Sequence, residues 1–130
     1  MQSVLFLSLM LPTQQAAAVT LDNVAPVVVS TRPVAGSAAV SPKTTQIEVT
    51  FSKTMGNNSW SWVRVSKDSF PELTGKPRYL KDVRTCVLPV TLKANHTYAV
   101  WLNTQKFNGF RDHKGRKAIP YLLVFHTAAR

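Results

Sequence analysis

The reading of one stretch decides the fold: TCVLPVTLKANHTYAVWLN, Thr85–Asn103. Its first half sends Cys86, Leu88, Val90 and Leu92 to one face, and its second half does the same with Tyr98, Val100 and Leu102. Period two marks a strand with one buried face, because successive side chains point to opposite sides of a sheet. Ala94-Asn95 reads as the turn between the two runs. Pro89 falls on the other face and has no N–H for the ladder, so the first strand is expected at a sheet edge or at a bulge.

The same alternation recurs on both sides. Thr45–Phe51 places Ile47, Val49 and Phe51 opposite Gln46, Glu48 and Thr50. Ala25–Ser30 and Trp60–Val65 precede and follow it, Arg78–Leu80 makes a short strand with Lys81-Asp82 as its turn, and Tyr121–Thr127 closes the series. Asp68–Pro77 and Phe107–Lys117 read as long connections. No window of 11 or more residues keeps a helical apolar period free of Pro or turn clusters. The expectation is all-β: an antiparallel two-sheet sandwich of Greek-key type with six or seven strands.

Composition narrows the functional classes. The chain has 130 residues, enough for one domain, with 16 Lys+Arg against 6 Asp+Glu and a formal net charge of +10. One Cys excludes an internal disulfide framework and any zinc site built from several thiolates. The three His have no metal-ligand spacing, and neither a phosphate-cradling Gly-rich loop nor a G-x-S-x-G elbow is present. No acid/base pair or nucleophile group can be assembled, so neither an enzyme nor a cofactor is expected. Cys86 alternates with Leu88 and Val90 and reads as a small buried hydrophobe.

The first 21 residues carry no charged side chain. Residues 3–11 form an apolar run broken only by two serines; Pro12, a polar triplet and Ala16-Ala17-Ala18 follow. A short apolar core before small residues is the layout of a secretory leader, although no Lys or Arg precedes it. The run is too short for a bilayer-spanning helix, which needs about 20 residues. Residues 1–18 are therefore expected to be a signal peptide, with no transmembrane span after its removal; the other reading is a buried amino-terminal helix.

Leu92 to Val100 has the spacing of a tyrosine corner, in which a Tyr at the start of a strand reaches back to the backbone a few residues upstream. Together with PVVVSTRP (Pro26–Pro33), IEVTFSKTM (Ile47–Met55) and VFHT (Val124–Thr127), it resembles the bacterial Ig-like domain of the S-layer SbsA type. The likeness covers residues 24–128. It implies an Ig-like sandwich in an exported bacterial protein, used as an accessory or spacer module, and it carries no catalytic residues.

Two stretches stand out as candidate contacts. Trp60 and Trp62, two apart, share a face with Arg64; outward they would form a stacking platform, inward they would be core. Trp101 falls opposite Tyr98, Val100 and Leu102, as the more exposed indole. The Phe107–Lys117 connection gathers Phe107, Phe110, Arg111, Lys114, Arg116 and Lys117. It reads either as a binding loop at one end of the sandwich or as a turn formed by Asp112 and Gly115 with the Phe pair tucked inward. The candidate ligand-binding set is thus Trp60, Trp62, Arg64, Trp101, Phe110, Arg111, Lys114 and Arg116. A basic surface attracts acidic glycans, anionic lipid headgroups or an acidic protein partner. The leader points to export, whether periplasmic, surface-held or extracellular. An intracellular nucleic-acid-binding protein is the alternative; it needs the leader reading to fail, and its cations would be spread (Lys43, Arg64, Lys76, Arg84, Lys93) rather than blocked together.

Overall fold

The computed structural model describes residues 17–130. The expected leader, residues 1–18, therefore lies outside the described residues except for its last two. Among the described residues there are eight strands: β1 (Val28–Arg32), β2 (Gln46–Phe51), β3 (Trp62–Arg64), β4 (Glu72–Leu73), β5 (Arg78–Tyr79), β6 (Thr85–Thr91), β7 (Thr97–Leu102) and β8 (Tyr121–His126). They form two antiparallel sheets. One has the order β1-β2-β6-β4, with β5 also paired to β6; the other has the order β3-β7-β8. This is the division of an Ig-like sandwich. Among the described residues there is no helix long and apolar enough to cross a membrane.

The alternating residues face the space between the sheets. Val49, Phe51, Cys86, Val100 and Leu102 fill one half of the core, and Ile47, Leu88, Val90, Tyr98, Leu123 and Phe125 fill the other. Trp62 and Tyr121 touch both halves and join them. The tyrosine corner is formed: Tyr98 is buried, and its Oη accepts a hydrogen bond from the Lys93 backbone N–H at 2.7 Å.

Two expectations need correction. β6 is not an edge strand, since β2 flanks it on one side and β4 and β5 on the other. The Val90 N–H donates to the Thr45 carbonyl of the β2 side at 2.9 Å, so the nitrogen of Pro89, one residue away, points to the opposite side. There the partner edge is interrupted. Leu73 pairs with Val90 and Arg78 with Val87, leaving four residues, 74–77, opposite two on β6. Pro89 is tolerated because its missing N–H faces that bulge, where Gly75 lies against the proline ring. The second correction is β4 itself, read from sequence as part of a connection. Both of its residues are exposed, so no buried alternation announces it.

The free side of β8 is covered by residues 36–40. The Gly36 N–H donates to the Val124 carbonyl at 2.7 Å, the His126 N–H to Ser37 at 2.8 Å and the Val40 N–H to His126 at 3.0 Å, with Val40 and Thr127 bridged in parallel. β1, β3 and β8 run between the same two poles. The turns 52–61, 80–84 and 103–120 and the segment before β1 lie at one pole. The turns 65–71 and 92–96 and the chain after β8 lie at the other.

Candidate functional site

The Phe107–Lys117 connection is organised from beneath. Asn103, at the end of β7, is fully buried with a left-handed φ of 67°, a conformation Asn tolerates better than most residues. Its Nδ2 donates to the carbonyls of Phe110 (2.8 Å) and Ala118 (3.1 Å), and its Oδ1 accepts from the Phe110 N–H (2.9 Å). One side chain thus fixes both arms of the loop. Gly109 lies so close to Trp60 that a Cβ there would stand 2.3 Å from the Trp60 carbonyl oxygen, which locks the loop onto the approach to β3.

Phe110 is driven inward by this arrangement. It is 0% exposed, with its ring 5.0 Å from Phe51 and 5.5 Å from Trp62. The expectation that Phe110 contacts a ligand is corrected: it is a core residue with no face left for one. Arg111 folds back on its own loop, with Nε donating to the Asn108 carbonyl (3.1 Å) and an Nη to Asn108 Oδ1 (2.6 Å).

Lys114 and Arg116 turn toward two carboxylates, those of Asp22 and Asp112. Asp112 is excluded from water and meets Lys53 Nζ at 2.8 Å, while its Oδ1 accepts from the backbone N–H groups of Lys114 and Arg116. Burial pushes the Asp112 carboxyl up, but Lys53 and those two N–H groups outweigh it and hold the group at about 2. Lys114 Nζ pairs with Asp22 Oδ2 at 2.7 Å, and an Arg116 Nη donates to the Asp22 carbonyl at 2.9 Å. Lys53 Nζ also donates to the carbonyls of Asp22 (2.6 Å) and Val24 (3.0 Å). The Lys114 contact keeps the Asp22 carboxyl below its ordinary range. This loop is a latch on the segment that leads into β1. Lys114 and Arg116 are engaged in intramolecular pairs while their side chains stay 49% and 37% exposed.

Trp60 and Trp62 share a face, as parity requires, and it is the inward one. Both pack half-buried against the core. Of the two alternatives the outward platform is corrected and the core reading stands: Val49, Phe51 and Phe110 pack in the cluster that covers the indoles. Trp60 keeps one side accessible, with Lys76 Nζ 5.7 Å above its ring. Among the described residues the buried Trp62 Nε1–H has no well-formed hydrogen bond, with the Cys86 sulfur as its polar neighbour. Cys86 is fully buried, and burial pushes its thiol up to about 12, so it is not a nucleophile. Trp101 does point outward. The register aligns Val63, Trp101 and Leu122 in one cross-strand row on the outer face of the smaller sheet.

At the opposite pole the chain leaves β3, turns at Ser66 and Ser69, whose hydroxyls are 2.7 Å apart, and crosses to β4. A cleft of about 490 Å³ opens beneath this crossing. Arg64, Lys67 and Lys93 line it, with Phe70 and Tyr98 as aromatic walls and His96 at its base. The Arg64 guanidinium lies 5.6 Å over the Phe70 ring. His96 packs 4.7 Å from Tyr98 and its Nε2 is 2.7 Å from the Asp68 carbonyl. Among the described residues, the side chains of Arg64, Lys67 and Lys93 have no carboxylate partner. Of the eight candidate residues only Arg64 reaches this cleft. The sequence signal for Lys93 and His96 was their place inside the tyrosine corner; Lys67 and Phe70 gave none. No cluster of His, Cys, Asp and Glu among the described residues could hold a metal ion.

The family model of the bacterial Ig-like domain matches residues 22–127. Two solved structures are similar. "Structure of surface layer protein SbsC, domains 1-6" shares 20% identity at a TM-score of 0.52, over 82% of this chain and 14% of that one. The S-layer protein rSbsC(31-844) shares 20% identity at a TM-score of 0.46, over 81% of this chain and 14% of that one. No curated protein matches. The chain spans about one-seventh of either S-layer structure, and the likeness to the first, at this identity, shows the fold alone.

Proposed function

This chain belongs to the bacterial Ig-like domain family, and on that premise we propose that it is an exported, non-catalytic module that engages acidic partners at the bacterial cell envelope through its basic surface. The observation that carries this reading is the state of its cations. Lys53, Lys114 and Arg116 are ion-paired, while the other thirteen of the 16 Lys+Arg have no carboxylate partner among the described residues. Such a surface concentrates polyanions around it and accelerates their capture. The apolar run at residues 3–11, followed by small residues, supports export. The Ig-like sandwich favours a structural role by fold-level analogy alone. Acidic glycans, anionic lipid headgroups and acidic proteins all present the required charge.

The test is retention of the purified protein on immobilised acidic polymer and on isolated cell envelopes across a salt series. Retention is expected to fall steeply as ionic strength rises, because exposed charges are screened beyond roughly 10 Å at 0.1 M salt. Retention that is indifferent to salt sinks the electrostatic reading. Recovery of the unprocessed chain in the cytoplasm sinks export.

A further inference from the structure

We infer that the cleft between β3 and β4 is a binding site for an acidic sugar, a pyranose unit carrying a carboxylate; this rests on the reading of the protein as a module for acidic partners. The argument begins with Tyr98. Its hydroxyl is tied to the Lys93 N–H, and the side chain, 2% exposed, lines the cleft. It gives the cleft an aromatic surface held in place by the corner hydrogen bond, against which a ligand group can seat.

The surrounding charges say what else that group must carry. Arg64, Lys67 and Lys93 supply positive charge. Asp68 and Glu72 also line the cleft, and the Asp68 side chain is 89% exposed. A bare anion gains from the three cations and is repelled by the two carboxylates. A ligand with an anionic group and several hydroxyl donors satisfies both sets at once, the anion against Arg64, Lys67 and Lys93, and the hydroxyls against Asp68 and Glu72. Phe70 and Pro71 give an apolar wall for the C–H face of a ring. The volume of about 490 Å³ lies within the roughly 300–1,000 Å³ of small-molecule sites. A uronic-acid residue of an envelope or extracellular polysaccharide has this combination.

The experiment is an amide-resonance titration of the protein with digalacturonic acid, with cellobiose and inorganic phosphate as separate probes. Digalacturonic acid is expected to shift the resonances of Lys67, Thr91, Lys93 and His96. Lys67→Ala and Lys93→Ala, both at exposed positions, should each weaken binding at least about tenfold, and Lys117→Ala at the other pole should leave it unchanged. Equal shifts with phosphate or with cellobiose overturn the ligand class. Uronate binding that survives both cleft substitutions, or no cleft shift at all, overturns the site while salt-dependent retention on acidic polymer still stands. Loss of that retention in the unsubstituted protein counts against the parent reading instead.

Discussion

Lys53 and Asp112 meet at 2.8 Å with side chains only 5% and 0% exposed, joining the turn after β2 to the loop before β8 across 59 positions of sequence. Their strength lies in what surrounds them. Lys53 is completed by two carbonyls and Asp112 by two backbone N–H groups, so neither charge is left with an empty hydrogen-bonding side. Removing Lys53 leaves Asp112 only the more exposed Arg116 as a charged partner, 3.4 Å away, and removing Asp112 leaves Lys53 with carbonyls alone. Lys53→Met should destabilise the fold by about 3–5 kcal/mol, the usual cost of an uncompensated buried charge, and Asp112→Leu should recover part of that loss in the double variant. Urea unfolding of the three proteins checks it. A loss below 1 kcal/mol for Lys53→Met contradicts the burial described.

Acid should loosen the same pole. The carboxyl of Asp112 sits at about 2 in the folded protein against an ordinary 3.8, and those of Asp22 and Asp82 are also held low. A folded value below the unfolded one adds stability that is complete above the unfolded value and is lost as pH falls from there toward the folded one. Melting temperature should therefore hold down to about pH 5 and drop between about 4 and 2. Asp112→Asn should start lower and fall less over that window. A parallel decline in both proteins counts against Asp112 as the cause.

Tyr98→Phe leaves the Lys93 N–H without its acceptor and changes nothing in the apolar packing. A loss of about 1–3 kcal/mol is expected by thermal or chemical unfolding, the range for an orphaned buried donor. A neutral substitution would mean that water replaces the hydroxyl.

Cys86 should resist thiol reagents in the folded protein. Burial keeps its thiol protonated up to about 12, and no part of it reaches solvent. Ellman's reagent is expected to find no thiol in native protein and one per chain in denaturant. Prompt reaction under native conditions would contradict the placement of β6 in the core.

The core was legible in the sequence because strand period and burial coincide there. Ile47, Val49 and Phe51, then Cys86, Leu88 and Val90, then Tyr98, Val100 and Leu102 alternate without interruption, and each falls between the sheets. Tyr98 could be placed as a corner because its partner is five positions away. Parity grouped Trp60 with Trp62 correctly but could not say which face turns inward; Phe51 and Phe110 decide that from distant segments. The loop at 107–117 carries two readings in sequence for the same reason. Its cations looked available because Asp22 lies more than 90 positions away. Pro89 left edge or bulge open from local rules, and only the interrupted neighbouring edge decides for the bulge. The cleft was hidden because it is a product of the crossing between sheets, and Lys67 and Phe70 meet Lys93 and His96 only after that crossing is made.

The parallel contact of residues 36–40 with the end of β8 has a mechanical meaning. The latched segment at Asp22 and the chain leaving after Thr127 sit at opposite poles, so tension between them runs along the strands. The bonds from Gly36, Ser37 and Val40 to β8 would then be loaded in shear and have to break together, whereas a hairpin pulled from one end opens bond by bond. A sandwich pulled in this way would resist stretching along its length better than peeling from its side.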